Sequence, residues 1–181
     1  KDWDFNMKLI ITESQYKILM EDLSDEGELY PINFDEIIGN SFEDKLKRVM
    51  NRFNKIKDKY LGIRIIGDLN LDYVYSDELY NFCNNLVMVD GSLSLFNRKN
   101  LKLPKLKFVS QNLDLCFTNF KTLPELEYVG GTLELYKSKI ESLLQLNYVG
   151  GRLDLRGNPI SMMTTEKELR KQINVGGVIL L

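Results

Sequence analysis

The sequence contains no histidine among its 181 residues. This absence excludes the Ser-His and Cys-His arrangements of nucleophilic catalysis, and it removes the side chain that most often transfers protons at neutral pH. Only two cysteines occur, Cys83 and Cys116, which are too few for an ordinary zinc site or a disulfide framework. No spacing of Asp and Glu singles out a pair for acid–base chemistry. We therefore predict a protein that is not an enzyme and that has no metal or cofactor.

Long apolar segments are also missing. No run approaches the roughly 18 residues of a membrane span, and the stretch LIIT at residues 9–12 is too short for a signal peptide. Two unpaired thiols suit a reducing compartment, which predicts a cytoplasmic protein. With 44% hydrophobic and 28% charged residues, the composition still supplies enough apolar side chains for a packed core.

What the sequence has instead is an internal repeat. A valine recurs at intervals of twenty residues, and leucines follow it by four and six positions. The four regular units contain Val89, Val109, Val129 and Val149. A weaker copy precedes them at Ile65, and another follows them at Val175. A fixed period of this length is typical of a solenoid, in which successive units stack on one another.

The Leu-x-Leu segment of each unit has the alternation of a short strand with one buried face. Twenty residues accommodate such a strand, a return segment and the turns between them. We therefore predict an α+β solenoid with about six short parallel strands, in which Leu113, Leu133 and Leu153 form one buried column. The Gly-Gly pair that follows Val129, Val149 and Val175 is expected to permit positive φ and close approach of the backbone. A phosphate site is not expected there, because a strand follows the glycines and not a helix.

The pattern Leu-Pro-x-Leu-x-x-Val-Gly-Gly-x-Leu-x-Leu resembles the short leucine-rich repeats of bacterial and bacteriophage proteins. The resemblance covers roughly residues 65–181 and is closest in LDLRGNPI, residues 153–160. It implies that Asn158 joins neighbouring coils through hydrogen bonds to the backbone. A regular asparagine ladder is not expected, because the same position in the other units holds Arg98, Thr118 and Ser138.

Residues 1–62 differ from the repeat and are predicted to form a helical cap with an acidic loop. Segment 12–23 has a capping box and one apolar face, whereas segment 24–40 is broken by glycine and proline and predicts irregular structure. Segment 41–60 predicts the clearest helix, with Ser41 as its N-cap and an unbroken apolar stripe. We expect this stripe to cover the first coil of a solenoid formed by residues 63–181. Binding of a partner helix or a membrane surface is the alternative.

The C-terminal end predicts a second cap. Thr165 and Glu168 form a capping box for a short helix, and VGGVILL then returns as the last strand. Val178 and Leu180 are apolar where the earlier units are polar. An apolar strand edge invites pairing, so a homodimer through this edge is one interpretation. Burial beneath the terminal helix is the interpretation that we favour.

The residues between the repeated leucines are expected to face outward on the concave side. One row across the units holds carboxylates, and the next holds aromatic and arginine side chains, which are common anchors of protein interfaces. The candidate partner-binding residues are Phe96, Asp114, Glu134, Tyr136, Asp154 and Arg156. They predict a partner with a basic, partly apolar surface. The alternative is that they are ordinary solvated strand residues.

Charge is segregated along the chain, although its formal net charge is only −2. The first 44 residues are strongly acidic, and residues 45–107 are strongly basic. Nucleic-acid binding usually requires a basic patch. The candidate residues for such a patch are Lys45, Arg48, Arg52, Lys55, Lys59, Arg98 and Lys99. We favour a solvated helix face with neighbouring turns, because no base-stacking or groove-reading motif accompanies the charge.

These patterns predict a noncatalytic module that binds a protein partner through the repeat face. The resemblance to bacteriophage repeats adds a second hypothesis, an inhibitor of a bacterial defence nuclease, including anti-CRISPR activity, that acts in the host cytoplasm. A third hypothesis is a structural component of a larger phage assembly, docked through its apolar ends. A membrane partner is not expected.

Overall fold

A computed structural model describes residues 28–37 and 41–181 of the chain. The fold is a stack of coils, and each regular unit contributes one short strand to each of two parallel sheets. The predicted α+β solenoid of stacked parallel strands is confirmed. The helix predicted at residues 12–23 lies outside the described residues.

The first sheet has seven strands, which pair in chain order. Its inner face carries the repeated valine, because Val89, Val109, Val129 and Val149 lie side by side and are fully buried. The strands of this sheet are β1 (Leu29–Ile32), β2 (Gly62–Ile66), β4 (Leu86–Asp90), β6 (Phe108–Val109), β8 (Tyr128–Val129), β10 (Tyr148–Val149) and β12 (Asn174–Val175).

The second sheet has six strands and contains the Leu-x-Leu segments. Its register places Leu113, Leu133 and Leu153 beside one another, and all three are fully buried, so the predicted leucine column is confirmed. The strands of this sheet are β3 (Leu69–Asn70), β5 (Leu93–Ser94), β7 (Leu113–Asp114), β9 (Leu133–Glu134), β11 (Leu153–Asp154) and β13 (Ile179–Leu180).

The sequence pattern predicts only one strand per unit, the Leu-x-Leu strand of the second sheet. The first sheet was not predicted. From β6 onward, the strands of the first sheet, such as Tyr128–Val129, are two residues long and bury one valine each. Two residues are too few to show the apolar–polar alternation by which a strand is recognised. The strands of the first sheet therefore become evident only when successive coils are stacked in register.

The N-terminal end of the stack is covered by α1 (Phe42–Ile56), which packs beside α2 (Asp77–Asn85). The Ser41 hydroxyl accepts the Asp44 N–H at 3.1 Å, as the predicted N-cap requires. The predicted apolar stripe joins the core of the first coils through Leu46, Val49 and Phe53, which confirms the helical cap. Met50, which was not part of the predicted stripe, is buried beside them. The α-helix stops at Ile56, and Lys57–Lys59 form a 3₁₀ turn before the half-buried Tyr60.

The segment predicted as an irregular acidic loop contains a strand, and this part of the prediction is wrong. Residues Leu29–Ile32 form β1, which pairs in parallel with β2. Pro31 makes the segment look unlike a strand, because proline cannot donate a hydrogen bond to a central ladder. The strand lies at the edge of the first sheet, where a missing N–H group is tolerated.

The Gly-Gly corner joins the two sheets within a coil. A Cβ on Gly130 would lie 2.0 Å from the Ser110 carbonyl oxygen, and one on Gly150 would lie 2.0 Å from the Gly130 oxygen. The expected close approach of the backbone is therefore confirmed. Positive φ is not the reason for these glycines, because among the described glycines it occurs at Gly67 and Gly157 instead.

A buried polar residue lies in the turn after each of β7, β9 and β11: Thr118, Ser138 and Asn158. Thr118 and Ser138 donate to carbonyls of their own coils at 2.7 and 2.8 Å. Asn158 in addition spans two coils, because its Nδ2 donates to the Leu135 oxygen at 2.5 Å and its Oδ1 accepts the Ile140 N–H at 2.8 Å. The joining role that the resemblance implies for Asn158 is thus present.

The C-terminal coil ends the stack with a short helix and two strands. Helix α3 (Glu166–Gln172) begins at the predicted capping box of Thr165 and Glu168. The expected burial of Val178 beneath this helix is wrong, since its side chain is 58% exposed. None of the helices in the described ranges is long and apolar enough for a membrane span.

Candidate outer-face recognition site

The second sheet has one side turned away from the core, which we call the outer face. Because the six strands of this sheet pair in register, equivalent positions of successive coils lie side by side. Three rows of side chains cross this face. The middle row runs through Asp114, Glu134 and Asp154, which come immediately after the inward leucines. A third row lies two residues further along the chain and contains Phe96, Cys116, Tyr136 and Arg156.

An aromatic ladder follows the third row and includes a residue that the sequence did not single out. The ring of Phe117 lies between those of Phe96 and Tyr136, with edge-to-face geometry and centroid distances of 5.5 and 5.3 Å. The Arg156 guanidinium lies 5.5 Å from the Tyr136 centroid, and the Lys137 ammonium lies 5.1 Å from it. These five residues constitute the aromatic ladder.

The backbone beneath the ladder has a left-handed conformation. One position in three successive coils has positive φ, with 59° at Asn97, 57° at Phe117 and 53° at Lys137. Phenylalanine and lysine rarely adopt this region, because it costs about 1–2 kcal/mol per residue. In each case the N–H group donates to a carbonyl of the next coil, at 2.8–3.0 Å, which holds the conformation. A strained backbone at the half-buried Phe117 and the exposed Lys137 is of the kind that clusters at functional sites.

Two carboxylates of the middle row have a structural role. Asp114 accepts the N–H of Cys116 at 2.9 Å, and Asp154 accepts the N–H of Arg156 at 3.1 Å. A bond from an aspartate to the backbone two residues later is an Asx turn, which ends the strand and redirects the chain. The turn sets the direction in which the third-row side chains leave the sheet.

Arginines neutralise the C-terminal half of the middle row. The Arg156 guanidinium binds the buried carboxylate of Asp154 at 2.6–3.2 Å, and Arg152 pairs with Glu134. Burial raises the pKa of Asp154, but the bonds and charge of Arg156 outweigh it and hold this pKa below its ordinary value. The negative charge of this row is therefore neutralised at Glu134 and Asp154.

The structure places the predicted site residues on one surface but with unequal access. Phe96 and Arg156 are exposed, Asp114, Glu134 and Tyr136 are half-buried, and Asp154 is buried. Phe117 and Lys137 belong with them and were missed, because their slot carries no repeated residue type. The recurring signal is conformational: Gly157 occupies the same slot with a φ of 74°.

Both cysteines are free thiols, as predicted. Cys83 is buried within α2, and burial raises the pKa of its thiol to about 12. Cys116 is half-buried in the third row, where burial and then its hydrogen bond to Asp114 raise the pKa of its thiol to about 12. Both side chains therefore remain protonated at neutral pH and are poor nucleophiles.

The structure divides the predicted basic patch. The ammonium of Lys45 donates to the Phe34 carbonyl at 2.8 Å and is engaged within the cap. The Arg98 guanidinium lies 4.6 Å from the centroid of the Tyr75 ring. It borders an open cleft that is lined by acidic residues of α1 and α2. The exposed members of the predicted patch are Arg48, Arg52, Lys55, Lys59 and Lys99.

A second aromatic column lies on the outer side of the first sheet. Phe108, Tyr128 and Tyr148 stack almost parallel, with centroid distances of 4.7 and 4.9 Å. Phe108 is fully buried and Tyr128 is 8% exposed, so their ring faces offer little surface to a ligand. This column stabilises the stacking of the coils, whereas the aromatic ladder of the second sheet has accessible side chains.

No cluster of three or more cysteine, aspartate and glutamate side chains in residues 28–37 and 41–181 has an arrangement that could hold a metal ion. Comparisons of the chain with protein-family models, curated proteins and solved structures find no match. The candidate site therefore rests on the geometry of the chain itself.

Proposed function

We propose that this chain is a noncatalytic protein-binding module that recognises its partner through the outer face of the second sheet, centred on the aromatic ladder. The observation that carries the proposal is the continuous row of rings and cations that Phe96, Phe117, Tyr136, Lys137 and Arg156 contribute from four successive coils. Aromatic and arginine side chains dominate the energetic centres of protein interfaces.

The ladder is ordered before a partner arrives. Each ring contacts the next, and the coil beneath each ring is fixed by hydrogen bonds to its neighbour. Association normally costs free energy for immobilising side chains, and rings that are already held lose less freedom on binding. This preorganisation supports a recognition role for the ladder and accounts for retaining a strained backbone at Phe117 and Lys137.

The charges around the ladder favour a partner with an apolar centre and an acidic margin. Glu134 and Asp154 are paired with arginines, whereas no carboxylate among the described residues forms an ion pair with Lys137. An acidic group of the partner would complement this ammonium and add to the contact with the rings. The sequence suggests a basic partner, but that expectation requires middle-row carboxylates that form no ion pairs within the chain.

The test is partner capture from the native host, followed by calorimetry on variants of the ladder. We expect Tyr136→Ala to weaken binding by at least about 1–2 kcal/mol. Lys137→Gly is the sharper variant, because glycine adopts positive φ without penalty and the fold should be at least as stable. The same change removes the ammonium and should weaken binding.

Tyr73→Ala is the matched control, since Tyr73 is 79% exposed and lies at the N-terminal end of the second sheet. It should bind like the parent chain. Circular dichroism of every variant confirms that the fold is intact. If Tyr136→Ala and Phe96→Ala both bind with parental affinity, the outer face is not the recognition site.

A second candidate function is nucleic-acid binding through the exposed basic side of α1. The observation that favours it is the exposure of Arg48, Arg52 and Lys55 on one helix, followed by Lys59 in the next turn. Such binding depends on released counterions and falls steeply with salt. We expect gel shifts at physiological salt to show no complex; a tight, salt-sensitive complex weakened by Arg52→Glu would establish this function instead.

A further inference from the structure

Both sheets end at the C-terminal coil, where their last strands are β12 and β13. A terminal strand has backbone N–H and C=O groups that point away from the stack. Such an edge pairs with another strand unless side chains cover it. The two edges differ, because an arginine side chain covers the edge of β12, whereas the described residues provide no such cover for the edge of β13.

The edge of β12 is closed by an arginine. Within the stack, the valine carbonyl of one coil accepts an N–H of the next, as the Val149 oxygen does at 2.9 Å. The equivalent Val175 oxygen accepts Arg170 Nη1 at 2.8 Å, and the Gly177 oxygen accepts Arg170 Nη2 at 2.8 Å. The Glu166 carboxylate accepts a hydrogen bond from Nε of the same arginine at 2.8 Å. One side chain thus satisfies the carbonyls that a further coil would have bound.

The edge of β13 has no comparable cover among the described residues. Within the stack, Leu153 donates its N–H to the next coil, at 3.0 Å from the Val178 oxygen. Ile179 occupies the position of Leu153 in β13, so its own N–H and C=O face away from the stack. The side chains nearby are apolar, with Val178 58% and Leu181 41% exposed.

We infer that β13 pairs antiparallel with β13 of a second copy of the chain, about a two-fold axis at Ile179. Opposite residues of a hydrogen-bonded antiparallel pair exchange both N–H···O=C bonds. A residue that presents both groups on one edge is therefore complementary to itself. The register also places Val178 of each copy opposite Leu180 of the other, where side chains approach most closely.

The opposite end of the second sheet argues against a head-to-tail polymer. In such an assembly β13 would pair with β3, and Val178 and Leu180 would meet the polar Asp68 and Asn70. Apolar side chains gain more from meeting one another than from lying beside a carboxylate and an amide. The two-fold pairing gives them apolar partners and closes the assembly at two copies.

The test is sedimentation equilibrium of the full chain over a wide range of concentrations, because so small a contact makes a weak dimer. The double variant with Val178→Glu and Leu180→Glu places two negative charges opposite each other at both contacts between the two copies. It should raise the dimer dissociation constant at least about a hundredfold. Val178→Glu with Leu180→Lys places opposite charges in the same positions and should restore dimerisation. Tyr73→Lys, at the other end of the second sheet, should leave the dimer unchanged.

Rescue by the opposite-charge pair is specific to this register, and a loss of folding cannot imitate it. Thermal unfolding of each variant verifies that the monomer remains folded. A parent chain that stays monomeric at all concentrations overturns the inference. So does a like-charge variant that dimerises as well as the parent, or an opposite-charge variant that stays monomeric.

Discussion

Asn158→Ala tests whether the polar position of the repeat joins the coils or merely fills space. In the structure the residue is 1% exposed, and its side chain makes three hydrogen bonds to the backbone. Its amide donates to the Leu135 and Leu155 oxygens, and its oxygen accepts the Ile140 N–H. Alanine removes all three bonds, two of which bridge to the backbone of the preceding coil.

The magnitude follows from what each partner retains. The Leu135 oxygen still accepts from Ser138, and the Leu155 oxygen still accepts the backbone N–H of residue 158, so these losses are modest at about 0.5–1.5 kcal/mol each. The Ile140 N–H loses the acceptor that Asn158 provides inside the stack, and an unsatisfied buried donor costs about 1–3 kcal/mol. Together these effects predict a destabilisation of roughly 2–6 kcal/mol.

Ser138→Ala is the control in the same slot of the preceding unit. It removes a hydroxyl and leaves no buried donor unsatisfied, so we expect a loss of about 0.5–1.5 kcal/mol. Denaturant unfolding compares the two variants, and hydrogen exchange of the Ile140 amide reports on the bridging bond directly. If Asn158→Ala costs no more than Ser138→Ala and the Ile140 amide stays protected, the inter-coil role is refuted.

Three further predictions concern the core and the thiols. Leu133→Ala should lower the free energy of unfolding by about 2–5 kcal/mol, because a fully buried leucine leaves a cavity in the column. Gly130→Ala should cost about 1–3 kcal/mol or more, because its Cβ would meet the Ser110 backbone oxygen, which cannot rotate away. Both are measured by denaturant unfolding. Alkylation of Cys116 should be slow at pH 7 and accelerate as pH rises toward its pKa of about 12, whereas the buried Cys83 should react only on unfolding; rapid modification of both at pH 7 in the folded chain would contradict this.

The outer face shows where prediction from the sequence stops. The twenty-residue register correctly aligns Phe96, Tyr136 and Arg156 on one surface. It does not include Phe117, because an intermediate position in an irregular turn has no periodic signature. The positive φ of Phe117 brings its ring between the other two, and that angle depends on a hydrogen bond to the following coil.

The sequence by itself determined the stacking, the inward leucine column, the covering of the first coil and the C-terminal helix cap. Each of these follows from which side chains must leave water, and a repeating apolar position records that requirement directly. The tertiary structure alone decided the pairing of Arg152 and Arg156 with carboxylates, the closure of one terminal edge by Arg170 and the exposure of Val178. These features depend on contacts between coils and on side-chain direction, for which outward-facing residues carry no periodic constraint.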